Sequence, residues 1–200
     1  MTLYLVGMKE KIPDIAIVIN TTSSSKTWSK ELSPFYVGPI EMYDKYVAKN
    51  MENCWQFSKC YSTHVDDKLN PTEEYWNWAK NGWNDSWAHR YPMGRGAKPL
   101  YSLWNRQKLG YIEARKQIYL PLYAKAVQKT EAYLKLKNLY QTESKDIYLQ
   151  DWDAYNHKKF SRTYDQVLNC ETRKMGHAFV LGMLLEGFVN ESNWNWPIPQ

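Results

Sequence analysis

Glu52, Trp55, Gln56 and Lys59 fall at i, i+3, i+4 and i+7 within the segment 50–61. On a helix these four side chains share one face. That face would set a carboxylate, an indole, an amide and an ammonium side by side. A core face is aliphatic, and a solvated face rarely spends a Trp. The mixture suits a polar ligand with a flat part. The plainer alternative is a Glu52–Lys59 surface pair with Trp55 as a half-buried anchor.

Other residues offer chemistry at longer range. Arg90, Arg95 and Lys98 surround Gly94 and Gly96 in a loop where backbone N–H groups and guanidinium forks can approach phosphate oxygens. The loop is neither a Walker loop nor a dinucleotide fingerprint, and a solvated basic loop is its ordinary alternative. Asp151 and Asp153 flank Trp152. In a strand they would share a face; in a turn either can accept from ribose hydroxyls or orient water. Ordinary turn chemistry also favours Asp. Glu113 and Arg115 point about 200° apart on an ideal helix, so at least one is structural. His177 sits in an apolar run and reads as a hydrogen-bonded core residue. No nucleophilic-Ser, Cys/His or zinc-protease signature is present, which leaves those hydrolase classes unsupported.

The elements that must position these groups fit one domain, because 200 residues suffice for a real core. Ten Trp and sixteen Tyr exceed ordinary usage and suit wet cores or stacking sites. A net charge of +5 leans towards an anionic partner without the clustering of a strong nucleic-acid binder. Three cysteines without ligand spacing argue against a disulfide framework and a zinc site. Residues 1–8 lack a signal-peptide pattern, and no run approaches the roughly eighteen apolar residues of a membrane span. The expectation is a cytoplasmic protein, in host cytoplasm if viral, with no membrane partner.

Periodicity predicts a buried strand over 12–20, the helix with Glu52 to Lys59, and a helix capped by Thr72. Trp76, Trp83 and Trp87 share a face if Gly82 does not break that helix. A long helix is predicted over 109–120, kinked or restarted at Pro121 and running to about 140. A short strand begins at Ile147, and an apolar helix over 173–188 reads as the central buried element. The expected fold is α+β, a mostly helical single domain over 1–200 with a small sheet. Its core spans about 12–188, and an aromatic tail occupies 189–200.

Several blocks together resemble the NADAR (YbiA-like) superfamily. Ser33-Pro-Phe-Tyr36 resembles its Ser-Asn-Phe-type motif, and Glu52, Gln56 and Lys59 match its Glu/Gln/Lys helix. Gly94-Arg95, the acidic-aromatic stretch 151–155 and the final helix from Met175 follow in the family's order. Asn53 stands where a His usually follows the Glu, the acidic block lacks its Trp-Gly, and 76–87 has no counterpart. The chain also looks like an uncharacterised branch met in bacteria and their viruses.

The resemblance implies a YbiA-like fold and N-glycosidic hydrolysis of ADP-ribose or ribosyl-phosphate conjugates, including removal of ADP-ribose from guanine in nucleic acid. It implies Glu52 as the carboxylate beside C1′, with Asp151 or Asp153 as ribose ligand or second acid/base. Lys59, Arg90 and Arg95 would hold phosphates, Trp55 would wall a ring, and Gln56 would orient a hydroxyl or base edge. Phe35 and Asn20 complete the expected substrate-binding set. Neither metal nor cofactor is implied; the expected partner is an ADP-ribose-containing or nucleotide substrate, with nucleic acid as a further one. The rival reading is a non-catalytic protein that stacks nucleotides or single-stranded nucleic acid on Trp76, Trp83 or Trp87. A third is partner docking through Trp194 and Trp196.

Overall fold

The computed structural model describes residues 1–189, so the expected docking residues Trp194 and Trp196 lie outside the described residues. The chain opens with β1 (Leu3–Gly7) and β2 (Ile17–Asn20), followed by the short strands β3 (Ile40–Glu41) and β4 (Val47–Ala48). Helix α1 (Met51–Phe57) leads directly into β5 (Lys59–Cys60), and α2 (Glu73–Asn84) follows. The hairpin β6 (Tyr101–Trp104) and β7 (Gln107–Leu109) precedes α3 (Tyr111–Ala114). A π-helical turn (Arg115–Tyr119) joins α3 to α4 (Leu120–Val127). Then come α5 (Glu131–Thr142), β8 (Ile147–Asp151), α6 (Tyr164–Leu168) and α7 (His177–Leu185). This is an α+β single domain, mostly helical beside small sheets. No helix among the described residues is long and apolar enough to cross a membrane.

Strand β8 lies between β1 and β2 and pairs parallel with both. Ile147, Leu149 and Asp151 alternate on its buried face, so the two-residue period delivers a carboxylate to the core side at the strand's end. Gly7, Asn20 and Asp151 end their strands at the same edge, and α7 begins there. Ligands of open sheets collect at such carboxyl ends. Helix α7 is buried from His177 to Leu184, as its apolar sequence predicts. It starts at His177 rather than 173 because Gly176 is its N-cap and the Asp151 carboxylate occupies its first turn.

Three boundaries differ from expectation. The first strand is β1, whose Leu3, Leu5 and Val6 are fully buried, so the core begins well before residue 12. Conversely, β2 is a sheet edge with Val18 47% exposed, not a buried strand. The predicted helix through Pro121 is split by the π turn, in which Leu120 N–H reaches back to Arg115 O. Proline supplies no N–H for a regular helical bond, and the wide turn absorbs that loss. The helix then stops at Val127, and Thr130 caps α5 by accepting from Tyr133 N–H at 3.1 Å.

The tryptophan segment is mainly core. Helix α2 ends at Asn84, so Trp87 lies beyond it and is 75% exposed. Trp83 is buried and Trp76 half-buried, both against Tyr46. The three rings therefore form no common face. Gly82 does not break the helix; it makes room for the Phe57 ring, which a Cβ would meet at 2.1 Å.

Candidate active site at the carboxyl edge of the parallel sheet

A cleft of about 370 Å³ opens at this edge, within the size range of small-molecule sites. It is lined by Phe35, Glu52, Trp55, Gln56, Lys59, Arg90, Asp151 and Asp153, eight of the ten residues singled out from the sequence. Asn20 and Arg95 are not among them. The Asn20 carboxamide folds back to accept from Thr22 N–H and Oγ1 at 2.9 and 2.7 Å. Arg95 is exposed between Gly94 and Gly96, whose φ values of 90° and 91° turn the loop while those two glycines line the cleft.

Helix α1 is fixed by Asn50, whose side chain accepts from Asn53 N–H at 2.8 Å. Glu52 lies in the first turn, where the helix dipole favours a carboxylate. The helix ends at Phe57, so Lys59 belongs to β5 rather than to a second helical turn. The group still assembles. Gln56 Nε2 donates to Glu52 Oε1 at 2.9 Å, and Lys59 Nζ donates to Gln56 Oε1 at 2.7 Å. Lys59 also stands 4.9 Å from the Trp55 ring centroid as a cation–π pair. The plainer surface-pair reading fails because Glu52 is only 8% exposed.

Burial raises the Glu52 pKa, against the opposing pull of the Gln56 hydrogen bond and the charges of Lys59, Arg90 and His177. Burial lowers Lys59 to about 8, with Glu52 acting the other way. Arg90 and Lys174 both stand 3.8 Å from Asp153 at the half-exposed rim. The rim and the Lys59 arm supply positive charge for an anionic group, and Glu52 faces the interior of the cleft.

Asp151 and Asp153 do not act as a pair. Strand β8 ends at Asp151, and Asp153 lies in the following turn. Asp151 Oδ2 stands 3.2 Å from His177 Nδ1 and accepts from Ala178 N–H at 3.3 Å. His177 Nε2 stands 2.8 Å from both the Thr21 carbonyl and Thr21 Oγ1. That hydroxyl already donates to Gln150 O at 2.9 Å. Both ring nitrogens thus face acceptors, which makes His177 a doubly protonated donor. Burial lowers the His177 pKa, but Asp151 and the Thr21 carbonyl outweigh it and the net shift is upward. Asp151 moves down, its burial outweighed by the His177 charge. Gly176 is required beside this pair, since a Cβ there would sit 1.9 Å from Asp151 Oδ2.

Sequence reading missed several positioning residues. Asn53 is fully buried and donates to Asp85 O and Trp87 O at 2.9 and 2.8 Å, while its Oδ1 accepts from His89 N–H at 2.9 Å. It thereby holds the strand of chain that delivers Arg90. Arg115 is 2% exposed and donates to the carbonyls of Val167, Leu168, Cys170 and Arg173. It ties down the segment bearing Lys174, and it is the structural member of the Glu113/Arg115 pair that reaches the cleft. Tyr119 also lines the cleft and carried no signal in sequence. Among the described residues, no group of three or more His, Cys, Asp or Glu is placed to hold a metal ion.

A family of unknown function, DUF6939, matches over residues 5–164. The chain belongs to that family. The matched span contains Glu52, Gln56, Lys59, Arg90, Asp151 and Asp153; Lys174 and His177 lie beyond it. No curated protein and no solved structure matches the chain.

Proposed function

We propose that this protein is an N-glycoside hydrolase acting on ADP-ribose or ribosyl-phosphate conjugates, with ADP-ribosylated guanine in nucleic acid as a candidate substrate. The observation that carries this reading is a buried Glu52 carboxylate in a cleft also lined by Lys59, Arg90 and Lys174. Breaking a C1′–N bond builds oxocarbenium character on the ribose. A carboxylate fixed beside C1′ stabilises that charge or takes a proton from the attacking water. Gln56 holds the Glu52 carboxylate in one orientation. Lys59, Arg90 and Lys174 would bind phosphate oxygens, and Trp55 would wall the adjoining ring. Asp151 is committed to His177 and Ala178, so its role in this reading is to fix the cleft floor; Asp153 at the rim is the freer carboxylate. The likeness to the NADAR superfamily supports the same chemistry through Glu52, Gln56 and Lys59.

Stacking of nucleic acid on Trp76, Trp83 and Trp87 has less support, because Trp83 is buried and the three share no face. The test is chromatographic. Guanine-ADP-ribosylated DNA is incubated with wild type and with Glu52→Gln, and free ADP-ribose is measured. Release by wild type, reduced at least a hundredfold in the variant, is the expected result. Release undiminished in Glu52→Gln would remove Glu52 from the chemistry. No release with either protein would remove this substrate.

A further inference from the structure

We infer that the Tyr119 hydroxyl is the cleft's reader of a neutral sugar oxygen: it donates a hydrogen bond to a ribosyl hydroxyl held beside Glu52. The inference rests on the ribosyl-substrate reading above and assigns a residue that reading does not contain.

Tyr119 is the last residue of the π turn, lines the cleft and is 8% exposed. Its hydroxyl has no hydrogen-bond partner among the described residues. Comparable tyrosines spend theirs on the protein: Tyr123 on Leu32 O, Tyr75 on Phe57 O and Tyr164 on Glu186. Nor is the Tyr119 oxygen sealed away like those of Tyr43 and Tyr155, which are buried without a partner. It opens on the cleft. Open to the cleft and uncommitted to the protein, the hydroxyl is available to an incoming ligand atom in place of water.

The ring is held at a fixed place. It meets Trp55 edge-on at 5.3 Å and lies parallel to Tyr123 at 6.2 Å. A donor fixed by packing is pre-organised for its acceptor. Burial, and then the charges of Asp151 and Glu52, keep the phenol protonated, so it acts as a donor. The same carboxylates repel an anionic acceptor, which directs phosphate to Lys59 and Arg90 and leaves Tyr119 a neutral oxygen. A sugar hydroxyl can accept from Tyr119 while donating to a carboxylate such as Glu52, which neither a phosphate nor an apolar group can do. Tyr61 also leaves its hydroxyl unpaired at the cleft, but burial alone shifts it and no carboxylate acts on it.

The test is calorimetric titration of ADP-ribose and of ADP into wild type and Tyr119→Phe. Phenylalanine keeps the ring contacts and removes only the hydroxyl, so the melting temperature should stay within about a degree. Wild type should prefer ADP-ribose, whose second ribose would reach Glu52. The variant should lose about five- to tenfold in ADP-ribose affinity and none in ADP affinity. A variant that keeps the wild-type preference overturns the Tyr119 assignment alone, and so does an equal loss for both ligands. A wild type that binds ADP-ribose no better than ADP overturns the ribosyl reading of the cleft and this inference with it.

Discussion

Glu52 places a carboxylate where charge is disfavoured, and this has a consequence independent of any substrate. Burial raises its pKa in the folded protein above the ordinary value of 4.5. The folded state therefore holds the Glu52 proton more tightly than the unfolded chain does. Stability from this group is complete below pH 4.5 and is lost as pH rises through the raised folded value. Glu52→Gln should melt higher than wild type at pH 7, and the difference should shrink to nothing as pH is lowered towards 4. Differential scanning calorimetry between pH 4 and 7 measures this. A variant less stable than wild type at pH 7 would mean that the ionised carboxylate is net favourable where it lies. Glu52, Gln56 and Lys59 were legible as a group because their types and spacing are unusual for either a core or a solvated face. Tyr119 and Asn53 were not legible, since tyrosine and asparagine are ordinary in helices and what marks them is the partner each has or lacks.

At the scale of elements, two glycines set how closely the parts of the site approach. Gly82 lets α2 close on the Phe57 ring of α1, and Gly176 lets the Asp151 carboxylate enter the start of α7. Added Cβ atoms would stand 2.1 and 1.9 Å from those neighbours. Gly82→Ala and Gly176→Ala should each cost about 1–3 kcal/mol by urea denaturation, as overpacking does. An unchanged midpoint for either would mean that the neighbouring element moves freely. Local signals located these elements: the spacing of Glu52, Trp55, Gln56 and Lys59 for α1, the Thr72 cap for α2, and apolar residues for β8 and α7. The restart expected at Pro121 is met by α4, which begins at Leu120, but the π turn before it and the break after Val127 have no apolar signature; that turn carries Arg115 and Tyr119, which line the cleft.

For the whole molecule, β8 is the organising strand and β1 covers one of its edges over five paired positions. Leu3, Leu5 and Val6 are buried, and each such side chain contributes about 1.5–3 kcal/mol. Their sum is comparable to the roughly 5–15 kcal/mol that keeps a domain folded. Removal of residues 1–7 should abolish the cooperative urea transition followed by circular dichroism. A cooperative transition at the wild-type midpoint would show that β8 holds its place without β1. The first strand escaped notice because Leu3–Gly7 is too short for period and length to separate it from a loop.

The sequence by itself determined the α+β class, the buried character of α7 and the Glu52, Trp55, Gln56 and Lys59 group of the cleft. These depend on local pattern, which neighbours in the chain already carry. Tertiary structure alone decided that Asp151 belongs to His177 and not to Asp153, that Arg115 anchors rather than binds, and that the Trp83 indole is core. It also decided that the Tyr119 hydroxyl faces the cleft unpaired. The pairings among them join residues up to 58 positions apart, and a pairing at that range is fixed by packing and burial rather than by spacing along the chain.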